Sequence, residues 1–578
     1  MNPLLKKITS KRKFRTKIIS LALAGVLTLG MLTGCGQIKA VTGTEAGAQI
    51  IETAVAGTVA AQDGSAAVLA AQGFEFDEED FLTTWEETGA TKVTLNGTGI
   101  SVEGEGAAAE GSTLRITAPG TYVLSGNLDQ GQVAVNVGSD EVVRLVLNGV
   151  TITNQGAPTI LIEEADRAYV TLAEGSVNML TMASASSEEG VAANTDAQAD
   201  PDAVADAGDE AEDTPDGAIY SKGDLTLNGS GALTVNGSAK HGIVGRDDLR
   251  ITGGVFDITS VSDAVRGKDL IAIYSGDFMI VAGADAFQSS NADDADKGFI
   301  VIEGGRFQIK SGADGLQAET ALVIEDGDFE IESGDDGIHA DVSVLVLGGD
   351  VEVLKSCEGL EGPEVTIRGG EISLVSSDDG INTSGEKGLS IEGGFVSVNA
   401  DGDGIDLNGS GAMSGGILLI HGPTNNGNGA MDFNGDFIQS GGLLIAAGSS
   451  GMAQGPSESS TELSAQIFLT SQAAGTMIRV EAEDGTVIAA FKPAKTFTSL
   501  VVASPEFVSG ETYHVYVGGS SSWEEAYGLV TGGESTGGTE AVNFEISGSV
   551  TQAVQEGASA GGGMGGGMKR PRNQALSW

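Results

Sequence analysis

Between Phe256 and Asp403 the chain repeats one short phrase: an apolar residue two positions after a glycine, then an acid seven positions beyond the apolar one. The pairs are Phe256/Asp263, Phe278/Asp285, Phe307/Asp314, Phe329/Asp336, Val351/Glu358, Ile372/Asp379 and Val396/Asp403. Successive apolar members stand 22, 29, 22, 22, 21 and 24 residues apart, too short for a propeller blade and without the pattern of helix-pair repeats. Inside one period, Phe307-Gln308-Ile309, Leu316-Gln317 and Leu322-Val323-Ile324 are separated by Gly, Asp and Ser. Short alternating runs broken by turn residues predict three strands with bends between them. The fold expected is all-β, a right-handed parallel β-helix with about 22 residues per coil and coils about 4.8 Å apart. Phe256, Phe278, Phe307, Phe329, Val351, Ile372, Val396, Leu418 and Leu444 should form one inward ladder. Val265, Phe287, Leu316, Ile338, Leu360, Ile381 and Ile405 should form a second.

The flanking segments read differently. Lys6 to Lys17 is basic, Ile18 to Leu32 apolar, and Leu32-Thr33-Gly34-Cys35 resembles the lipobox of bacterial lipoproteins, which implies cleavage and a lipid on Cys35 (residues 1–35). Residues 36–111 are expected to be a tether followed by an N-terminal cap, helical or irregular from residue 74, with strands beginning at Ser112. The β-helix is expected over 112–448, interrupted by an acidic disordered insertion at 183–215. Residues 462–530 alternate without the period and predict a small antiparallel β unit, placed to cover the open end of the solenoid. Residues 531–578, with the run Gly561 to Gly567, read as a disordered tail.

Composition changes the picture at three points. The 88 glycines among 578 residues suit corners, and the 11 prolines and 5 % aromatics suit one long stacked core. The formal charge of −51 becomes −58 once the seven cations before Cys35 are removed, and such a surface rejects nucleic acid and anionic lipid headgroups unless cations intervene. With four histidines and one cysteine besides Cys35, ligands for zinc or copper are scarce. That cysteine, Cys357, reads as a buried small hydrophobe.

The candidate chemistry therefore lies with the acids. Asp335, Asp336, Asp378, Asp379, Asp401, Asp403 and Asp406 fall at one bend of successive coils, with Glu358 and Glu361 between. Stacked carboxylates about 4.8 Å apart disfavour joint ionisation unless compensated. Calcium, which accepts six to eight oxygens in irregular geometry, is one compensator. A solvated edge of Asp-Gly turns is the other reading. Three positions after each ladder acid come Arg266, Gln288, Gln317, His339, Glu361, Asn382 and Asp406. They would make an outer polar row along which a linear polymer could lie, with Arg266, Gln317, His339 and Asn382 as candidate contacts. Asp293 to Asp296 sits in the coil that is seven residues too long, as a calcium loop or a soluble insertion.

Several phrases carry a resemblance. They include Ala118 to Gly126, Val143 to Ile152, Ala218 to Gly229, His241 to Ile243, Asp247 to Gly254, Arg266 to Asp269, Ile324 to Ser333, Gly510 to Tyr513 and Tyr516 to Gly518. Over most of 112–520 the chain resembles bacterial surface carbohydrate-binding proteins with a pectate-lyase-like β-helix. The resemblance implies binding of cellulose and of acidic pectic polymers such as polygalacturonate, with calcium bound by the helix. The expected protein is a noncatalytic, monomeric adhesin on the bacterial surface, anchored through Cys35. A calcium-dependent pectate-type lyase is the alternative, with Lys240, Arg246, Arg266 or Lys268 as base. A purely structural envelope protein is a third reading.

Overall fold

The computed structural model describes residues 74–184, 214–386, 388–521, 524–531 and 535–560. The lipobox, the tether up to residue 73, almost all of the acidic insertion and the tail beyond 560 lie outside them. The described residues form strands and turns without a helix. Three parallel ladders run along a solenoid. Its first ladder includes Val255–Ser260, Asp277–Val281, Arg306–Lys310, Asp328–Glu332, Asp350–Ser356 and Glu371–Ser376. The second holds Val265–Gly267, Phe287–Ser289, Leu316–Ala318 and Ile338–Ala340, and the third holds Leu270–Ile273, Phe299–Ile302, Ala321–Ile324 and Ser343–Val346.

The register matches the sequence period residue for residue. Phe256 lies against Phe278, then Phe307, Phe329, Val351, Ile372, Val396, Leu418 and Leu444. The second ladder runs Val265, Phe287, Leu316, Ile338, Leu360, Ile381, Ile405. The coil of 29 residues keeps register because its extra residues form a loop between Phe287–Ser289 and Phe299–Ile302.

Register dictates how the rings pack. Phe256, Phe278, Phe307 and Phe329 stack with centroids 4.9, 4.9 and 4.4 Å apart and planes within 9°. Free phenyl rings prefer offset or edge-on contact, so this arrangement follows from strand spacing. Phe287 meets Phe278 and Phe307 edge-on, at 5.7 and 5.9 Å, and supplies the favoured geometry from the next ladder.

Both ends differ from expectation. Strands begin at Thr91, not Ser112: Thr91–Gly97 pairs in parallel with Gly120–Leu128, and two hairpins, Thr91–Gly97/Gly99–Glu103 and Ala107–Glu110/Thr113–Ile116, fill the first coil. Residues 74–90 contain no helix. Phe74 packs on the outer side of the third ladder against Leu270, Ala272 and Val301. The C-terminal β unit reaches Val554, because Thr539–Glu545 pairs with Thr512–Val517 and Val550–Val554 with Ser464–Gln472. Ser535–Thr536, read as part of a tail, pairs antiparallel with Ser520–Ser521. Leu443–Gly448, the last strand of the first ladder, pairs antiparallel with Phe497–Ala503, so its edge is closed.

Phe307 is fully buried in the stack. Phe307→Ala should cost about 3–5 kcal/mol, read as a lower denaturant midpoint. Gln308→Ala, one position along and facing outward, should stay within about 0.5 kcal/mol.

Candidate functional site

The bend acids are first of all a hydrogen-bonded ladder. The amide of each donates to the carboxylate one coil earlier: Asp285 to Asp263 (3.3 Å), Asp314 to Asp285 (2.9 Å), Asp336 to Asp314 (2.8 Å), Glu358 to Asp336 (3.1 Å) and Asp403 to Asp379 (2.6 Å). His241 holds the equivalent place one coil before Asp263, whose amide donates to its Nδ1 at 3.2 Å. A short acidic side chain thus satisfies a bend amide that no strand reaches. One oxygen of Asp263, Asp285, Asp314, Asp336 and Asp379 is committed to this role, and the second oxygens of Asp285 and Asp314 meet the outer row at Gln288 Nε2 (3.0 Å) and His339 Nδ1 (3.4 Å).

That outer row exists. Arg266, Gln288, Gln317, His339, Glu361, Asn382, Asp406 and Asp432 follow one another in register. The combination brings acids from neighbouring coils together. Asp336, Glu358 and Glu361 form one group, and Asp379, Asp403 and Asp406 another, each with one oxygen per residue within 4.8 Å of the rest. In the second group Gly402 leaves the necessary space, for a Cβ there would stand 2.4 Å from Asp379 Oδ1 and 2.5 Å from Asp378 Oδ1.

Electrostatics follow from burial and like charge. Burial, then the Asp314 and Asp263 carboxylates, push Asp285 up to about 8. Burial, then hydrogen bonds with Glu361 and Glu358, hold Asp336 far above the carboxylate range. Burial, with Asp403 among the repelling charges, raises Asp379 to about 7; burial and Asp432 raise Asp403 to about 6. Asp335 and Asp406 are raised as well, by burial first. His339 goes the other way. Although burial lowers it, Asp314 at 3.4 Å and neighbouring acids bring it to about 9, so it is an imidazolium at neutral pH.

The sequence candidates therefore separate. Asp336, Glu358, Glu361, Asp379, Asp403 and Asp406 converge in the two groups, and Asp378 stands beside the second. Asp335 joins Cys357 and Glu358. Asp401 points elsewhere: its carboxylate is 71 % exposed and 2.7 Å from Lys495 of the C-terminal unit. Cys357 is half-buried, not buried, and its thiol is pushed up to about 12 by burial and Glu358. Arg266 donates from Nε to Ser290 Oγ at 3.3 Å, Asn382 to Glu361 at 3.3 Å, and His339 is engaged with acids. Gln317 keeps its place in the row between Gln288 and His339.

Three features were missed. Asp314 joins Asp336 and His339 in a further group; it was in the periodic pattern and simply not singled out. Asp432 ends the outer row, where a loop breaks the period that would have pointed to it. Asp224, Asp247 and Asp248 also converge, yet Arg250 reaches Asp224 at 2.8 Å and Asp248 at 2.6 Å, and Arg167 reaches Asp224 at 3.1 Å, so guanidinium groups serve that corner.

With this geometry in view, the comparisons concern the solenoid. Residues 110–380 match the profile of a family described as "Carbohydrate-binding domain-containing protein". A protein of Acetivibrio thermocellus with the same description is 36 % identical over 141 residues, 24 % of this chain and 43 % of the relative. The match thus spans less than half of that relative's length. The solved structure titled "Structure of the polysaccharide lyase-like protein from C. thermocellum, Gadolinium derivative" is 29 % identical, with 49 % of this chain and 99 % of that one covered and a TM-score of 0.36.

The raised groups set a pH dependence for metal-free protein. A carboxylate whose folded value lies above its unfolded value, ordinarily near 4, contributes stability that is complete below about pH 4 and is lost as pH rises through the folded value. Asp379 at about 7 and Asp285 at about 8 act this way, and His339, raised to about 9, has the same sign. In chelator the melting temperature should therefore fall by a few degrees from pH 6.5 to 8.5. A rise over that interval would contradict the burial described here.

Proposed function

We propose that the protein is a noncatalytic extracellular carbohydrate-binding protein that holds acidic polysaccharide, such as polygalacturonate, through calcium at the acidic bends. The observation that carries the reading is the pair of three-carboxylate groups, Asp336/Glu358/Glu361 and Asp379/Asp403/Asp406, each drawn from adjacent coils. Their donor set is oxygen only, which suits a hard divalent cation. The space over Gly402, which a Cβ would fill, is the kind of cradle such an ion requires. When bound, calcium would offset the crowded carboxylates and leave coordination places for uronate carboxylates. That is how a chain of formal charge −51 can take a polyanion. The outer row from Arg266 to Asp432 supplies polar contacts at one per coil, about 4.8 Å apart, along which a linear polymer could lie. The family profile over 110–380 supports the carbohydrate class.

Distance disfavours the lyase alternative. Arg266 stands four register steps from Glu361 and six from Asp406. Asp336, in the coil of His339, is the nearest member at three steps, and at about 4.8 Å per coil that gap is ~14 Å, too long for a base to share a sugar ring with the metal. Lys240 is held by Asp216 at 2.6 Å.

Polygalacturonate should retain the protein in calcium and release it in chelator, without unsaturated product. Product formation would make it a lyase, and retention indifferent to chelator would remove the calcium bridge. Asp379→Asn with Asp403→Asn should weaken calcium binding about tenfold or more, whereas Asp401→Asn should leave it unchanged. The lipobox-like segment further proposes a monomer anchored to the bacterial surface by lipid on Cys35. Cys35→Ala should then appear in the membrane-free fraction of expressing cells.

A further inference from the structure

The outer row sets one nitrogen ligand against the acids of the bend. We propose that His339, Asp314 and Asp336 form a binding site for a borderline transition-metal dication of the zinc and cobalt class, distinct in chemistry from the proposed calcium groups. The three side chains each offer one ligand atom, all within 4.8 Å of one another. Asp314 and Asp336 are buried and His339 is half-buried, so an ion held among them stays reachable from the outer face.

Both carboxylates are fixed before any ion arrives. Asp314 Oδ1 accepts the amide of Asp336 at 2.8 Å, and Asp336 Oδ1 accepts that of Glu358 at 3.1 Å. Each Oδ2 is the oxygen that faces the imidazole, with His339 Nδ1 lying 3.4 Å from Asp314 Oδ2 and 4.0 Å from Asp336 Oδ2. A charge-assisted N–H···O bond would draw such a pair in to about 2.7–2.9 Å. Two ligands that each stand about 2.1 Å from a tetrahedral centre are roughly 3.4 Å apart. The nitrogen and the nearer oxygen are therefore spaced for an ion between them, and a small rotation of Asp336 closes the wider gap.

The far side of the ring carries the matching second contact. His339 Nε2 is 3.3 Å from Asp341 Oδ1. With Nδ1 on a metal, the ring would donate its one N–H to that carboxylate, the arrangement that fixes the tautomer and orientation of a ligating histidine. The other three histidines are placed differently. His241 also stands between two acids, Asp216 and Asp263, yet its Nδ1 accepts the Asp263 amide at 3.2 Å. The Nδ1 of His421 accepts the Ala494 amide at 2.9 Å, and His514 meets the single carboxylate of Glu540. Gln317, beside His339 in the row, keeps a buried Oε1 with no hydrogen-bond partner among the described residues, a further oxygen one coil away.

Donor chemistry selects the ion. Calcium takes oxygen ligands, and soft ions are held by thiolates; one imidazole with two carboxylates suits zinc, cobalt and their neighbours. Histidine is scarce in this chain, but a single ring set against stacked acids is sufficient for a mixed site. Asp336 is shared with one proposed calcium group, whereas His339 and Asp341 belong to neither. Substitutions at those two positions therefore test this site without removing a calcium ligand.

The test titrates metal-stripped full-length protein with zinc by calorimetry and with cobalt by visible absorption, at constant pH. One zinc per chain should bind more tightly than any further equivalent, and His339→Gln should weaken that binding about tenfold or more and abolish the cobalt bands. Asp341→Ala, which keeps all three ligands, should weaken zinc about tenfold while the cobalt bands persist. Calcium affinity should be the same in all three proteins. Zinc affinity or cobalt spectra unchanged in His339→Gln would overturn the proposal, as would wild-type zinc affinity in Asp341→Ala.

Discussion

Everything in this molecule depends on in-register parallel pairing of one coil on the next. A backbone hydrogen-bond ladder puts equivalent residues about 4.8 Å apart regardless of what they are. For Phe256, Phe278, Phe307 and Phe329 that constraint is harmless, since stacked rings still bury apolar area and Phe287 adds edge contacts. For Asp285, Asp314 and Asp336 the same rule concentrates like charge in a poorly solvated corner, and the raised pKa values of Asp285 and Asp336 record the cost. Core and candidate site are two results of one geometry.

The acidic ladder shows how a structural device becomes chemically useful. Asp285 and Asp314 accept the amides of the next coil, a backbone-bonding role like that of the Asp-Gly turn reading, but at a buried bend and not a solvated edge. The turn reading and the metal reading, set against each other in the sequence, are compatible, because a carboxylate has two oxygens and the bend uses one. What separates the acidic corners is the counter-charge. At Asp224 and Asp248 the guanidinium of Arg250 is already in place. At Asp314 and Asp336 the imidazolium of His339 offers a partial answer. Asp379, Asp403 and Asp406 converge with no basic side chain in their group, and Asp378 and Asp379 close over Gly402.

The N-terminal segment carries another lesson. Residues 74–82 bring Phe74 against the third ladder, bury Asp80 among Thr226, Asn228 and Thr252, and leave Phe81 beside Tyr274. None of this is periodic, so it left no trace in the pattern of hydrophobic positions. The strands from Thr539 to Val554 escaped for a related reason: a glycine-rich stretch before them resembles a boundary, while their partners lie up to 86 residues away.

The period of the chain by itself determined the solenoid, both inward ladders to the residue, and the outer row from Arg266 to Asp406. A repeat that buries one face per coil admits a single register. It also identified the acids of the bend. Only the tertiary structure decided which acids meet, since a difference of two positions along the bend separates Asp403, inside a group of three, from Asp401, drawn away by Lys495. Only the tertiary structure placed Phe81 next to Tyr274, 193 positions apart by subtraction. Periodicity encodes contacts between equivalent positions, whereas contacts between a coil and a segment laid across it depend on packing that no repeat announces.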